Sequence, residues 1–251
     1  MKAIITGASS GIGWDMAKIL SDMGYEIYAV ARRVDRLNEL KDILSTTVYP
    51  IVCDLSSERE CMDLYEKLKD EDIDILINNA GFGLCGKFYE TDLKCEIDMI
   101  NTNIKAVHIL TKLFLTKFRQ ENKGRILNVA SSAGFMMGPF LSTYYASKAY
   151  VLRLSEAIDR ELCEEKSNVK ISILCPGPVK TEFDSVANVK FSLSGLESRY
   201  VAQYAIDKMF KGKLIIKPGF SIKLLLFFSR FLPDRLLSKI TYHIQRKKYE
   251  S

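Results

Sequence analysis

The chain has 251 residues, of which 47% are hydrophobic and 27% charged, a composition typical of a globular protein. This length is enough for one large α/β core, so no second domain is required. The formal net charge is +5. It is too small, with basic residues spread along much of the chain, to indicate a nucleic-acid-binding protein.

The six cysteines form no CxxC pair and no regular spacing, and several lie in apolar runs. We therefore expect reduced, buried thiols. With only two histidines, a histidine-rich metal site is excluded. The chain opens directly on MKAIITGASSG, without the charged, apolar and small-residue regions of a cleavable leader. These features predict a reduced, cytoplasmic protein without a metal.

Short apolar runs alternate with segments of helical periodicity. Near-continuous apolar runs suit strands that are covered on both faces of a parallel sheet. They predict strands at 3–6, 26–31, 48–53, 74–79, 125–130 and 169–175, with a seventh near 213–218 at the sheet edge. Helices are predicted at roughly 12–23, 34–44, 57–69, 92–119 and 143–165. The alternation, without repeats or a Pro/Gly-rich linker, predicts one doubly wound (Rossmann) α/β domain over residues 1–251. It has three layers and a mostly parallel seven-stranded sheet.

The C-terminal segment, residues 221–251, mixes large apolar residues with Lys and Arg. Its longest unbroken apolar run, LLLFF, is far shorter than the ~20 residues of a membrane-spanning helix. Pro233 also interrupts the segment. Two interpretations stay open: a pair of helices that packs on the body or on a neighbouring subunit, or a peripheral helix in the membrane interface.

The stretch TGASSGIG, residues 6–13, follows the first predicted strand and opens a helix. Gly7, Gly11 and Gly13 permit a tight turn and a close approach of the backbone to a pyrophosphate. The free N–H groups and the dipole of the helix favour that negative charge. A glycine-rich turn without a ligand is the alternative.

The second predicted strand ends at Ala31, and Arg32 and Arg33 follow it. A carboxylate here would accept the ribose hydroxyls of NAD, whereas two guanidinium groups clamp a phosphate, so NADP is favoured over NAD. The alternative is an exposed charge pair at a helix N-terminus, and Arg36 fits that description.

Two further strand ends have polar residues. Asp54, after the third strand, is placed either to meet an adenine amino group or to cap the next helix. NNAG, residues 78–81, ends the fourth strand and suits either a cofactor crevice or structural ties in the sheet.

The fifth strand ends in NVASSAG, residues 128–134, and YYASK follows on a predicted helix. A hydroxyl, a phenol and an ammonium in one crevice suggest carbonyl chemistry, because Lys148 can lower the pKa of a phenol that passes a proton near neutral pH. Neighbours at i,i+3 and i,i+4 share a helix face, so the spacing to Lys148 does not choose between Tyr144 and Tyr145. A structural tyrosine pair is the alternative.

Together these motifs resemble the short-chain dehydrogenase/reductase family in its common subtype of about this length. The resemblance covers about residues 1–190 and includes TGxxxGIG at 6–13, NNAG at 78–81, YxxxK at 144–148 and PGPVKT at 176–181. The tyrosine that begins the family's YxxxK pattern matches Tyr144. The family's serine usually lies thirteen residues before it, at Ser131 here and not Ser132. The family's helical asparagine matches Asn103, although Ala106 stands where glycine is commoner.

The resemblance implies hydride transfer between a nicotinamide and a carbonyl carbon. In it Tyr144 moves the proton, Ser131 holds the substrate oxygen, and Lys148 holds the ribose and lowers the pKa of Tyr144. Asn103 anchors a water that leads protons to Lys148. The implied cofactor contacts are Gly7, Ser9, Ser10, Gly11, Ile12, Gly13, Arg32, Arg33, Asp54, Leu55, Asn79, Ala80, Gly81, Tyr144, Lys148, Pro176, Gly177, Val179 and Thr181. Ser10 replaces a Lys or Arg of many NADP-dependent relatives, which leaves more of the phosphate recognition to Arg32 and Arg33.

In the family, substrate specificity comes mainly from a variable segment, here about 182–212, with contributions near 83–88 and 134–141. Residues 183–196 hold no basic cluster, and Phe135, Met136, Met137 and Phe140 suggest an apolar pocket wall, although core packing suits some of them equally well. We therefore expect a small or mid-sized apolar ketone or alcohol.

Other functions remain open. The contexts ARRVDRL and NNAGFGLCGKF also resemble dehydrogenases of small 3-hydroxy acids such as serine. A steroid, a 3-oxoacyl substrate and a non-catalytic NADP(H)-binding regulator or scaffold are further alternatives. Family members are usually homodimers or homotetramers built on the helices that cover 92–119 and 143–165, so we expect a homo-oligomer.

Overall fold

A computed structural model describes residues 1–183 and 195–249. Part of the predicted variable segment, residues 184–194, therefore lies outside the described residues. The first half of the chain contains β1 (Lys2–Thr6), α1 (Gly11–Asp22), β2 (Glu26–Ala31), α2 (Val34–Ile43), β3 (Val48–Val52), α3 (Glu58–Leu68), β4 (Ile75–Asn78) and α4 (Leu93–Ile100).

A π-helical turn (Asn101–Ala106) joins α4 to α5 (Val107–Glu121). The elements that follow are β5 (Arg125–Val129), a 3-10 turn (Ser132–Phe135), α6 (Ser142–Glu164), β6 (Lys170–Leu174), β7 (Val179–Lys180), β8 (Leu196–Glu197), α7 (Ser198–Phe210) and β9 (Ile215–Ile216). At the C-terminus, α8 (Phe220–Phe228), a second 3-10 turn (Ser229–Phe231) and α9 (Asp234–Tyr249) complete the chain.

The main sheet has seven strands in the order β3-β2-β1-β4-β5-β6-β9. All six neighbouring pairs are parallel. The seventh predicted strand is the two-residue β9, in which Ile215 and Ile216 pair with Ile173 and Leu174 of β6. The expected doubly wound α/β fold is confirmed. A separate two-stranded ribbon joins β7 to β8.

Helices cover both faces of the sheet, which explains its continuous apolar strands. Successive residues of a strand point to opposite faces. Ile5 accordingly belongs to the core cluster that contains residues of α1 and α7, whereas Ile4 belongs to the cluster of α3 and α5. Phe114 of α5, wholly buried, is among the largest side chains of that second cluster.

The C-terminal helices lie on the body of the domain. The ring of Phe140 stacks on Tyr249 of α9 with 5.0 Å between centroids, and Tyr242 lies 5.3 Å from the same ring. Leu226 of α8 and Leu237 of α9 are buried. None of the helices within residues 1–183 and 195–249 is long and apolar enough to cross a membrane.

Candidate active site

A cleft of about 460 Å³ opens at the carboxyl ends of the central strands. The chain winds outward in both directions from β1, through β2 on one side and β4 on the other, and such a switch point is where doubly wound folds bind ligands. Apart from Gly13 and Asn103, every predicted catalytic and cofactor residue lines the cleft. Those residues are Gly7, Ser9, Ser10, Gly11, Ile12, Arg32, Arg33, Asp54, Leu55, Asn79, Ala80, Gly81, Ser131, Tyr144, Lys148, Pro176, Gly177, Val179 and Thr181.

The three glycines of the β1–α1 turn permit close backbone approaches. Gly7 has φ +66° and Gly11 has φ +54°, a left-handed conformation that costs other residues free energy. A Cβ on Gly7 would lie 2.8 Å from Asn79 Nδ2, and one on Gly13 would lie 2.4 Å from the same atom. Gly13 therefore supports the turn from behind and does not line the cleft.

The NNAG segment combines both of the roles expected for it. The Asn79 side chain donates to the carbonyls of Thr6 and Gly7, at 3.0 and 3.2 Å, and so ties β4 to β1. Asn78 is buried and donates to Asn128 Oδ1 of β5, at 2.9 Å. Asn79 is thus a structural tie and also part of the cleft wall.

The arginines after β2 differ in their contacts. Arg33 donates to Ser9 Oγ at 3.1 Å and pairs with the Glu182 carboxylate at 2.9 Å. Hydrogen bonds from Arg33 and, more weakly, Ser10 lower the pKa of Glu182. Arg32 is exposed at the cleft, whereas Arg36 stacks over the Trp14 ring at 4.6 Å and does not line it. Arg33 thus holds an anionic group beside the predicted pyrophosphate turn.

Asp54 lines the cleft but does not cap α3. Its Oδ1 accepts hydrogen bonds from the backbone N–H and the hydroxyl of Ser56, at 3.0 and 2.9 Å. The helix cap is Ser57, whose side chain accepts from the Glu60 N–H. The capping alternative for Asp54 is therefore wrong. The carboxylate instead closes a local turn of the kind that Asp favours.

Ser131 and Tyr144 meet in the cleft. The Ser131 hydroxyl is close enough to the Tyr144 phenol to lower its pKa, and Ser131 Oγ accepts a hydrogen bond from the Ala133 N–H at 3.1 Å. Burial raises the pKa of Tyr144 to about 12, and the Ser131 hydroxyl acts in the opposite direction. The expected lowering of this pKa by Lys148 is not seen: desolvation of the phenolate is the largest effect on it, and Lys148 is not among its causes.

Lys148 follows Tyr144 by one helical turn on α6, so the two side chains lie on the same face of the helix. Its Nζ donates to the Val129 carbonyl at 3.0 Å and lies 5.8 Å from the centroid of the Tyr144 ring. The side chain is buried, which lowers the pKa of Lys148 to about 8. An ammonium that titrates so close to neutrality can take up or release a proton under ordinary conditions.

Asn103 lies behind the cleft wall, in the π-helical turn. Its Oδ1 accepts from the Phe82 N–H at 3.1 Å, and its Nδ2 donates to the Phe82 carbonyl at 2.9 Å and to Ser147 Oγ at 3.1 Å. A Cβ on Gly81 would lie 2.8 Å from Asn103 Oδ1 and 3.3 Å from Lys148 Nζ. Asn103 therefore positions the strand end beside Lys148. Sequence reasoning placed it in one unbroken helix, but π turns of this kind often mark functional sites.

Tyr145 has different partners. Its hydroxyl accepts a hydrogen bond from Gln245 of α9, and its ring packs on Gly138, where a Cβ would lie 2.3 Å from the ring. Burial raises the pKa of its phenol. Tyr145 lines the cleft, but unlike Tyr144 it is held by the C-terminal helix.

The expected apolar wall is wrong in its residues. None of Phe135, Met136, Met137 and Phe140 is among the described residues that line the cleft; Leu141, Tyr145 and Phe183 line it instead. Lys217 Nζ lies 4.4 Å from the centroid of the Phe135 ring. Phe140 has φ +65° and turns its ring away to α9. The sequence shows the apolar character of residues 134–141. It gives no sign that the chain turns the Phe140 ring away from the cleft, or that Glu182 lines the cleft.

Metal binding depends on the grouping of ligand side chains, and thiol reactivity depends on burial. Within the described part of the chain, no three His, Cys, Asp or Glu side chains are grouped to hold a metal ion. None of the six cysteines, all of which lie in the described residues, forms a disulfide, and burial raises the pKa of the Cys53 and Cys175 thiols to about 12. These two buried thiols are therefore unreactive.

A doubly wound fold with a glycine-lined cleft and a serine–tyrosine–lysine cluster defines a dinucleotide-dependent oxidoreductase. The sequence model of the short chain dehydrogenase family matches residues 1–190. An uncharacterized oxidoreductase of Staphylococcus saprophyticus is 33% identical over 185 residues, which is 71% of this chain and 78% of that protein. A probable NADP-dependent dehydrogenase of Haemophilus influenzae is 33% identical over 190 residues, 73% of this chain and 74% of that one.

Solved structures agree with this assignment. A short-chain dehydrogenase from Sphingobium yanoikuyae in complex with NADPH has a TM-score of 0.81 and 28% identity, over 87% of this chain and 88% of that one. One from Burkholderia phymatum in complex with NAD has a TM-score of 0.82 over 90% and 91% of the chains. At 23% identity it shows the fold alone. The chain belongs to the short-chain dehydrogenase/reductase family and is an oxidoreductase that uses a nicotinamide cofactor.

Proposed function

We propose that this protein is an NADP(H)-dependent reductase or dehydrogenase of small or mid-sized apolar ketones and alcohols. The observation that supports it best is that Ser131, Tyr144 and Lys148 line one cleft, with Lys148 Nζ 5.8 Å from the centroid of the Tyr144 ring. A hydroxyl, a phenol and an ammonium at one point are the groups needed to bind a carbonyl oxygen and protonate the alkoxide formed from it.

The cleft fits a nicotinamide dinucleotide. The close-packed glycines bring the backbone of the β1–α1 turn and the free N–H groups of α1 to the cleft, where a pyrophosphate would bind. Arg32 and Arg33 would hold the 2′-phosphate of NADP. Arg33 already holds one anionic group, the Glu182 carboxylate, which supports a phosphate at this place. When bound, the cofactor supplies or accepts the hydride.

The side chains of α6 and β5 handle the proton. Tyr144 gives its phenolic proton to the developing alkoxide, or removes it in the reverse direction, while Ser131 donates a hydrogen bond to the same oxygen. The protonated Lys148, 5.8 Å from the tyrosine ring, stabilises the phenolate left behind. Asn103 acts as a positioning residue, because its bonds to Phe82 fix the strand end beside Lys148.

The lining of the cleft favours an apolar substrate. Leu141, Tyr145 and Phe183 contribute apolar surface. Among the described lining residues, the basic ones are Arg32, Arg33 and Lys148, and the two arginines lie on the side assigned to the 2′-phosphate. A 3-hydroxy acid such as serine needs a further cation for its carboxylate, so we place it second.

A substrate panel tests the proposal. Oxidation of NADPH with apolar ketones, and reduction of NADP with apolar alcohols and with serine, are followed by absorbance. We expect the highest kcat/KM with an apolar ketone. Higher kcat/KM with serine would establish the 3-hydroxy acid alternative. Tight NADPH binding without turnover of any compound would instead point to a regulator or scaffold.

We further propose a homodimer or homotetramer that forms through α4, α5 and α6. Leu93 and Ile97 of α4 are 72% and 46% exposed, and Tyr150 of α6 is 38% exposed, so apolar surface is available for such a contact. Light scattering after gel filtration gives the assembly mass directly, and a monomer would refute this proposal. Six cysteines without a disulfide among the described residues support action in the reducing cytoplasm.

A further inference from the structure

We propose that α8 is a docking surface for membranes that contain anionic lipids. Large apolar side chains cover it: Phe220, Leu224, Leu225, Phe227, Phe228 and, just beyond, Phe231. Their exposures run from 45% for Leu224 to 78% for Phe220, and Leu226 is the buried residue of α8. A contiguous apolar patch of this kind marks an interaction site. We call these six residues the α8 surface.

Charge identifies the partner. Residues 220–251 contain seven of the 36 Lys and Arg and two of the 31 Asp and Glu, so they account for the whole net charge of +5. Residues 1–219 are formally neutral. A second copy on the α8 surface would bring like charges together, whereas an anionic lipid surface is complementary. Phenylalanines flanked by lysine and arginine are the composition of an interfacial helix.

A cleft rich in lysine lies beside α8. Lys208, Lys213, Lys217 and Lys223 line it together with Tyr204 and the β9 segment. Lys223 donates to the Tyr204 hydroxyl at 3.2 Å, and Lys208 lies 5.4 Å from the centre of the same ring. Among the described residues, its lining includes no Asp or Glu. Ammonium groups beside an apolar helix match a phosphate headgroup beside its acyl chains.

Helix α8 packs on the body of the domain through Ile222 and Leu226. Ile222 covers Gly177, where a Cβ would lie 2.5 Å from Ile222 Cδ1, and Gly177 lines the active-site cleft. Docking would therefore place the cleft next to the bilayer. A helix of nine residues is too short to span it, so the contact is peripheral. The docking itself does not depend on the proposed reaction.

The contribution of the apolar side chains to membrane binding is tested by co-sedimentation of the full chain with vesicles of equal parts phosphatidylcholine and phosphatidylglycerol. We compare the wild type with the pair Phe227→Ser and Phe228→Ser, whose residues are 56% and 57% exposed. The matched control is Ile43→Ser with Met62→Ser, 51% and 44% exposed on α2 and α3. We expect the α8 pair to weaken partitioning about tenfold or more, because two phenyl groups no longer insert. The control pair should bind as the wild type does.

The contribution of the lysines to vesicle binding is tested in the same assay with the double variant Lys208→Gln and Lys223→Gln. Each lysine near an anionic surface contributes about 1 kcal/mol, so this pair should bind about thirtyfold more weakly. Lys41→Gln with Lys67→Gln is the control of equal charge. Wild-type binding should fall with added salt and be far weaker on vesicles of phosphatidylcholine alone.

Three results would overturn the proposal. In the first, the wild type does not sediment with anionic vesicles. In the second, the control variants lose as much vesicle binding as the α8 and lysine variants. In the third, the wild type self-associates without binding lipid, and the change of both phenylalanines abolishes that self-association. The last would reassign the α8 surface to a subunit contact. Thermal melting shows whether each variant is folded, and the single change Phe231→Ser replaces the pair if it is not. Turnover of a water-soluble ketone is measured in the same samples, so failure of the proposed reaction is distinguished from failure to dock.

Discussion

The hydroxyl of Tyr145 accepts a hydrogen bond from the side-chain amide of Gln245, one hundred residues further along the chain. The adjacent Tyr144 lines the active-site cleft beside Ser131 and Lys148. Two tyrosines that helix spacing left equivalent are thus separated by their partners: one belongs to the proposed reaction and the other fastens α9 to the wall of the cleft.

Replacing each tyrosine by phenylalanine tests this separation. Tyr144→Phe removes the proposed proton donor and should lower kcat by about 10²–10⁴-fold. Tyr145→Phe should keep most of the activity, since it removes only a bond to α9. Steady-state NADPH oxidation is the measurement. Equal turnover by the wild type and Tyr144→Phe would refute the catalytic assignment.

A double-mutant cycle tests the attachment of α9. Gln245→Ala leaves the buried Tyr145 hydroxyl without its partner and should cost about 1–3 kcal/mol of unfolding free energy. In the Tyr145→Phe background the same change should cost less, because the bond is already absent. Urea denaturation supplies the four unfolding free energies. Additive effects would show that the two side chains do not interact.

Lys148 should make stability depend on pH. Burial lowers its pKa from 10.5 to about 8. Between these values the unfolded chain binds the proton and the native one does not, so the unfolding free energy rises with pH. From pH 8 to 10.5, the unfolding free energy of the wild type should increase by about 3 kcal/mol relative to Lys148→Met. Lys41→Met, an exposed control, should follow the wild type. Parallel curves for the wild type and Lys148→Met would contradict the lowered pKa.

The ion pair between Arg33 and Glu182 bears on cofactor choice. Arg33→Ala should weaken NADPH binding about tenfold or more and NADH binding less, since a charged bond to the 2′-phosphate is lost. Glu182→Gln should tighten NADPH binding, because a competing carboxylate is removed. Fluorescence titration measures both. Arg59→Ala, at an exposed position on α3 outside the cleft lining, is the control. Equal effects of Arg33→Ala on both cofactors would count against NADP preference.

Asn103 should matter for stability as well as for turnover. Asn103→Ala leaves the N–H and carbonyl of Phe82 without their partners and should cost about 3 kcal/mol of unfolding free energy. Asn168→Ala, at an exposed position, should cost little. Chemical denaturation of both variants is the measurement, and an Asn103→Ala protein as stable as the wild type would remove the positioning role.

Local patterns predicted the sheet and the cleft well. Apolar runs identified all seven strands of the main sheet, since both of its faces are buried. Parallel strands bring their carboxyl ends to one edge, so the motifs after β1, β2, β3, β4 and β5 had to converge there. The misses have two causes. The π turn at Asn103 and the outward turn of Phe140 depend on neighbours that are distant in sequence, Phe82 and Tyr249, whereas Asp54 closes a local turn with Ser56 that competes with helix capping.

By itself, the sequence determined the doubly wound fold and the glycine turn, because hydrophobic periodicity and short motifs are local; the set Asn103, Ser131, Tyr144 and Lys148 was predicted from the resemblance to the family. Only the tertiary structure decided how deeply those groups are buried and which side chains they contact. Burial sets the pKa values of Tyr144 and Lys148, and packing of α9 decides which face Phe140 and Tyr145 present. Desolvation and contact between remote segments exist only once the chain has folded, so no local pattern encodes them.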